Sequence, residues 1–217
     1  MSRARPERRG GTGITLRAFR VNAAINHIMF TGRRGRVYDL LVARSGVRPG
    51  DSVLDVGSSS GYLARRLAAV GPSVRVTGVD PSEPAIAYAR RHAGPGMTFT
   101  VGVAQRLPLP DSSFDVVTCT LAMHHIPRDQ RRAAVAEMYR VTRPGGRLLI
   151  ADMASLLHLR LRALRPDAAA ADPLADLAEA AGYQVESWGT VPLLRYILAI
   201  RPRSGTSRTQ AATSSAG

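Results

Sequence analysis

The run Ser52-Val-Leu-Asp-Val56, followed at once by Gly57-Ser-Ser-Ser-Gly61, constrains this chain more than any other stretch. Five mostly apolar residues are too few for a helix and suit a strand covered on both faces. The small residues after it let the backbone turn tightly and approach a ligand. Residues 62–70 then read as a helix, and 74–79 as a second strand that ends in Gly78-Val79-Asp80-Pro81-Ser82. Strand, tight loop, helix and strand make a crossover unit whose two strands run parallel. Ligands in such sheets bind outside the carboxyl ends of the strands. That rule directs attention to the residues after Val56, after Val79, near Val103 and after Thr120. The loop lacks the G-x-G-x-x-G spacing of dinucleotide folds, so it does not point to a pyrophosphate.

The same alternation continues. Two helices, 16–30 and 36–45, precede the first strand. Residues 84–92 read as a helix with Ser82 as its N-cap and Pro84 in its first turn. Residues 98–103 and 114–120 read as strands. A helix over 128–142 is stopped by Pro144-Gly145-Gly146, and 147–151 form the next strand. A helix over 172–181 ends at Gly182, and strands 185–191 and 195–200 follow. The link between those last two strands is too short for a parallel crossover, so the final strand runs antiparallel. The pattern predicts an α/β fold, a mostly parallel, doubly wound sheet with helices on both faces.

Composition narrows the rest. A chain of 217 residues can bury roughly 70% of its unfolded surface without staples. The single cysteine, Cys119, excludes a disulfide framework within the chain and a Cys-rich zinc site. No apolar run approaches the roughly 18 residues of a membrane span. Thirty basic residues against sixteen acidic give a net charge of +14, and every one of the thirty is Arg. That balance fits a solvated Arg-rich surface, or attraction to nucleic acid or an acidic membrane surface. Residues 1–13 and 204–217 read as a disordered leader and tail. The leader lacks the apolar core of an export signal, which leaves the cytoplasm as the expected location.

Taken together, these motifs resemble the class I S-adenosylmethionine-dependent methyltransferases. VLDVGSSSGYLA resembles that family's first motif, GVDPSEPAI its second-strand motif, and GVAQRLPLPDSSFDVVTCTLAMHHI its third-to-fourth-strand block. EMYRVTRPGGRLLIADM and AGYQVESWGTVPLLRYILAIRP resemble the fifth strand with its preceding helix and the closing strand pair. The resemblance implies a Rossmann-like sheet of seven strands. It implies a domain over 47–203 that binds S-adenosylmethionine, behind an N-terminal helical lid over 14–46.

It also implies roles, residue by residue. Gly57 and Gly61, with Ser58, Ser59 and the loop N–H groups, would hold the methionyl end of the cofactor. Asp55 would support its ammonium. Asp80, followed by Pro81, would accept the ribose hydroxyls. Val103 and the backbone of Ala104 would meet the adenine, and the carbonyl end around Thr120 would face the ammonium. Two positions depart from the family. Ser59 stands where a Gly is usual, and Val103 where an Asp often accepts from the adenine. One missing hydrogen bond of that kind is worth about 0.5–1.5 kcal/mol.

Methyl transfer depends mainly on aligning a nucleophile with the reactive methyl, so the motifs do not name the acceptor. Where a proton must leave, a base helps, and His124 of the pair His124-His125 is the candidate. The alternative is a structural histidine at a strand end. Residues 26–32, Asn-His-Ile-Met-Phe-Thr-Gly, and EMYRVTRPGG partly resemble the quinone-biosynthesis C-methyltransferases, whereas MHHI and the short segment after the fifth strand do not. Residues 156–165 place Leu157, Leu161 and Leu164 on one helical face among Arg160, Arg162 and Arg165. That stretch is a lid, a membrane-surface contact or a helix packed on the core. A small-molecule acceptor, lipophilic or not, is the leading expectation, with a quinone as one candidate. A nucleic-acid methyltransferase and a non-catalytic binding protein of the same fold are the alternatives.

Overall fold

Local chemistry fixes the elements before packing joins them. The computed structural model describes residues 34–153, 173–191 and 194–203. The leader, the tail, the helix expected over 16–30, the Leu/Arg stretch over 156–165 and most of the last strand-to-strand link lie outside the described residues. Helix α1 (Arg34–Ser45) precedes β1 (Ser52–Val56), and α2 (Tyr62–Ala68) leads to β2 (Arg75–Asp80). Helix α3 (Glu83–Arg91) follows, capped as expected by Ser82, whose hydroxyl accepts from the Ala85 N–H at 3.4 Å. Next come β3 (Met97–Val101), β4 (Phe114–Thr120), a 3-10 turn at Met123–His125, α4 (Arg131–Val141) and β5 (Thr142–Met153). Helix α5 (Pro173–Ala180), β6 (Gln184–Val191) and β7 (Leu194–Ile200) close the chain.

The strands form one seven-stranded sheet in the order β3-β2-β1-β4-β5-β7-β6. Strands β1 to β5 pair in parallel, and β7 runs antiparallel to both its neighbours, as its short link requires. Burial explains the two layers. On one face Leu54, Val56, Val117, Leu148 and Ile150 pack against Val135 and Met138 of α4 and Leu174 and Ala178 of α5. On the other, Val53, Val76 and Val116 pack against Leu63 and Leu67 of α2 and Ile86 of α3. Helix α1 contributes Val37 and Leu41 to a third cluster with Leu149, Ala151 and Leu194.

Several boundaries shift by one to three residues, the helix expected over 128–142 becoming a 3-10 turn at Arg128–Gln130 followed by α4, and two differences have a clear cause. Strand β3 ends at Val101 rather than 103, because the chain turns there and Val103 pairs back on Arg106. Strand β5 begins at Thr142, five residues early, and runs through Pro144-Gly145-Gly146. Gly145 takes a left-handed φ of 80° and its N–H donates to the Arg201 carbonyl at 2.7 Å. The apparent helix stop is therefore the start of a strand edge. The connection from β3 to β4 carries no helix. It is held by Arg140, which donates to the Leu107 and Leu109 carbonyls and to Glu137 and Asp111. Among the described residues no helix is long and apolar enough to cross a membrane.

Candidate functional site

The carboxyl edge of β1, β2, β4 and β5 brings the candidate residues together. Registry does this first. Asp55 on β1 stands opposite Thr118 on β4, and the Thr118 hydroxyl donates to Asp55 Oδ1 at 3.0 Å. The carboxyl is buried, and burial pushes it up to about 7, against the opposing pull of the Thr118 hydroxyl and the Ala64 N–H. Asp55 Oδ2 has no hydrogen-bond partner, nor do Ser58 Oγ and Thr120 Oγ1, and all three atoms are buried. Buried polar atoms are nearly always paired. Three orphans on one strand edge are what a site leaves open for a polar ligand.

The loop after β1 is shaped by close packing. Gly57 (φ 75°), Ser59 (φ 48°) and Gly61 (φ 76°) are all left-handed. A Cβ on Gly57 would stand 2.3 Å from Ala122 Cβ, so the loop sits directly against the chain leaving β4. The Gly57 and Ser58 N–H groups donate to the Val79 carbonyl, at 2.8 and 3.0 Å. The Ser59 N–H donates to Asp80 Oδ2 at 2.9 Å, and the Gly61 N–H to the Ser58 carbonyl. These N–H groups are thus spent within the chain. A ligand here meets close-packed backbone, the Asp55, Ser58 and Thr120 side chains, and the start of α2, which has no side-chain cap.

Asp80 closes β2 next to this loop. Its Oδ1 accepts from the Ser82 N–H at 2.8 Å, and each oxygen keeps a further lone pair. Burial raises the carboxyl, opposed by the Ser82 and Ser59 N–H groups. Pro81 is exposed between Asp80 and the Ser82 cap. The β3 end lies alongside, since the Gly102 N–H donates to the Asp80 carbonyl at 3.2 Å. Val103 is 46% exposed and Ala104 is half-buried, so an apolar residue faces solvent where the chain leaves β3. Tyr62 at the start of α2 lies under the Arg34 guanidinium, 4.1 Å from ring centroid to Cζ, and meets Tyr38 edge-on.

The His pair completes the edge. Leu121 takes a left-handed φ of 55°, and the turn then presents His124 and His125 with rings 3.9 Å apart. Asp152, near the end of β5, accepts from the His124 ring Nδ1 at 2.7 Å and from its backbone N–H at 2.8 Å. Asp152 was not among the residues singled out from sequence. Its signal was there: Ile150-Ala-Asp152 ends a strand in an acid just as Gly78-Val79-Asp80 does.

Three comparisons bear on this geometry. A family model described as a methyltransferase domain matches residues 53–146. A demethylmenaquinone methyltransferase of Symbiobacterium thermophilum is 37% identical over 132 residues, covering 58% of this chain and 52% of that protein. The chain spans about half the length of the curated relatives it matches. Among solved structures, a methyltransferase of Haloferax volcanii in complex with the Trm112 activator superposes with a TM-score of 0.67 at 20% identity. It covers 85% of this chain and 98% of that one. A methyltransferase of Methanosarcina mazei superposes with a TM-score of 0.61 at 23% identity, covering 75% and 98%. These superpositions show the shared sheet, with its single antiparallel strand. S-adenosylmethionine is the cofactor this kinship implies, and the residues fit it. The orphaned Asp55 oxygen suits an ammonium, the orphaned hydroxyls suit the polar ends of an amino acid, and Asp80 suits a diol.

Proposed function

We propose, from the methyltransferase-domain match over residues 53–146, that the chain transfers a methyl group from S-adenosylmethionine to a small, lipophilic, hydroxyl-bearing molecule, a hydroquinone being the first candidate. The cofactor supplies an electrophilic methyl. The protein's part is to hold and orient. In this reading Asp55 takes the ammonium with its free Oδ2, Ser58 and Thr120 take the remaining polar groups, and Asp80 takes the ribose hydroxyls. Gly57 and Gly61 keep the loop clear, and Val103 and Ala104 border the adenine. Holding two reactants in line supplies most of the rate in such a reaction. His124, at the same edge, takes the acceptor's proton. The quinone-like acceptor draws support from the Symbiobacterium relative and from the partial motif over 26–32. The same reading places the reaction in the cytoplasm.

The observation that carries this reading is a set of three buried, unpartnered polar atoms at the ends of β1 and β4 and in the loop after β1. Calorimetric titration with S-adenosylmethionine and S-adenosylhomocysteine tests it. Wild type should bind both saturably. Thr120→Val should weaken both at least several-fold with its thermal midpoint unchanged or raised, because it removes an orphan rather than a partnered group. Asp80→Ala should abolish binding. A folded wild type that binds neither compound overturns the reading in favour of a non-catalytic protein of this fold. A nucleic-acid acceptor is the second reading, favoured by the net charge of +14. It requires RNA retention that falls steeply with salt.

A further inference from the structure

Asp152 and His124 form a pair whose geometry exceeds what a strand end needs. Asp152 is 4% exposed, and it accepts from the His124 ring, the His124 N–H and its own neighbour's Met153 N–H, at 2.7, 2.8 and 2.7 Å. The His124 side chain is 42% exposed, so the ring is gripped at Nδ1 and open on its other side. Burial pushes the Asp152 carboxyl up, but the His124 ring and the two N–H groups outweigh it and hold the group below the usual carboxylate range. An ionised carboxylate only accepts. Nδ1 is therefore the donor in this pair, and Nε2 is the ring atom left for another partner.

The surroundings suit that assignment. From the same turn, His125 lies tilted by 44° against the ring, and burial and His124 together lower its basicity. From β2, Asp80 acts on His125 across the site. From β4, the buried Cys119 thiol is pushed well up and stays neutral. From β7, Arg195 stands opposite Asp152 in the strand register. The turn is fixed to the cofactor loop through Ala122, which fills the space over Gly57.

We propose that Asp152 is a positioning residue that holds His124 with Nε2 toward the acceptor, and that the acceptor is therefore a neutral hydroxyl compound, a phenol or hydroquinone, whose proton must leave as the methyl arrives. This rests on the methyltransferase reading above. The O–H bond breaks and its proton moves to Nε2. The oxygen's electron pair forms the bond to the methyl carbon as the carbon–sulfur bond breaks, leaving its pair on sulfur. Asp152 then faces an imidazolium. The proton returns to solvent when product departs.

The test uses the full chain with S-adenosylhomocysteine added, labelled with nitrogen-15 in its histidines. Wild-type His124 should show a pyrrole-like Nδ1 and a pyridine-like Nε2. Asp152→Asn keeps the shape but offers an amide donor, and should reverse the tautomer. With S-adenosylmethionine and a series of ring-substituted phenols and hydroquinones, Asp152→Asn should lower kcat about 10²-fold or more. Its affinity for S-adenosylhomocysteine should stay within twofold of wild type. Asp152→Glu should recover part of kcat, and the loss should shrink as the phenol becomes more acidic. His124→Gln, which leaves the backbone N–H bond to Asp152, should show the same dependence on acidity. A proton on Nε2 in wild type, an equal loss for every phenol, or no methylated phenol in the series overturns the proposal. Failure to bind S-adenosylhomocysteine overturns the methyltransferase reading instead, and the tautomer measurement separates the two.

Discussion

The two edges of the sheet handle polar groups in opposite ways. At the amino edge they are paired. Asp115 accepts from the Ser52 N–H at 2.8 Å and from Arg143, and Asp51 accepts from the Arg48 N–H and from Arg147 at 2.9 and 3.0 Å. The carboxyl edge leaves Asp55 Oδ2, Ser58 Oγ and Thr120 Oγ1 without partners. It holds Ser59 and Leu121 in left-handed backbone, as the amino edge holds Ser112. Such groups cost free energy in the folded chain. One edge is therefore arranged for stability, and the other gives up stability to keep atoms available. Substitutions placed on the two edges should reveal that contrast.

The largest effect should come from a pair of glycines. Gly57 at the carboxyl edge and Gly50 at the amino edge are both left-handed, but a Cβ on Gly50 meets nothing within 4 Å. Gly57→Ala combines left-handed strain with a clash against Ala122 and should destabilise by roughly 2–5 kcal/mol. Gly50→Ala carries the strain alone and should cost about 1–2 kcal/mol. Urea denaturation measures both. Equal losses would show that packing against Ala122 does not shape the loop.

Next come the two carboxylates. Asp55 has a folded value raised to about 7, so the folded chain holds its proton more tightly than the unfolded chain does. Its contribution is greatest in acid and is lost as pH rises through about 7. Asp55→Asn should remove that loss, making the variant more stable than wild type above pH 7 while weakening cofactor binding. An ammonium beside Asp55 favours the ionised form, so binding near pH 6 should release a proton. Calorimetry in buffers of different ionisation heat would detect the release, and Asp55→Asn should abolish it.

Asp115 behaves oppositely. Burial pushes it up, but the Ser52 N–H and Arg143 outweigh burial and hold it below the usual range. Its stabilisation is present above the ordinary carboxylate value and is lost as pH falls through the lower folded one. Asp115→Asn should cost about 1–3 kcal/mol at neutral pH, and the difference from wild type should fade in acid. A difference that persists at low pH would mean that the charge is not the source.

Legibility followed the same division. Ser52-Val-Leu-Asp-Val56, the Gly/Ser loop and Asp80 were readable because a strand end, a turn and an acid within about 30 residues carry their own signals. The antiparallel β7 followed from link length alone. What escaped depended on distant partners. Pro144-Gly145-Gly146 reads as a helix stop, and the pair of backbone bonds that Gly145 and Gly146 make with Arg201 ties it into β5. The engagement of the loop N–H groups by Val79 and Asp80 could not be read from the loop's own residues. Asp152 matters because His124, 28 positions earlier, reaches it across neighbouring strands.

The smallest expected effect concerns the residue that departs most visibly from the family pattern. Ser59 is a left-handed residue with a Cβ, a conformation that costs about 1–2 kcal/mol outside glycine. Its N–H is fixed on Asp80, so the backbone cannot relax without giving up that bond. Ser59→Gly relieves the strain but adds freedom to the unfolded chain, worth roughly 0.5–1 kcal/mol. The net gain should be a few tenths of a kcal/mol, up to about 1. Removing the Cβ also opens space between the loop and Asp80, so S-adenosylhomocysteine should bind as well as in wild type or better. A loss of affinity would mean instead that the Ser59 hydroxyl contacts the cofactor. This position would then join Ser58 and Thr120 among the groups that the carboxyl edge holds ready for its ligand.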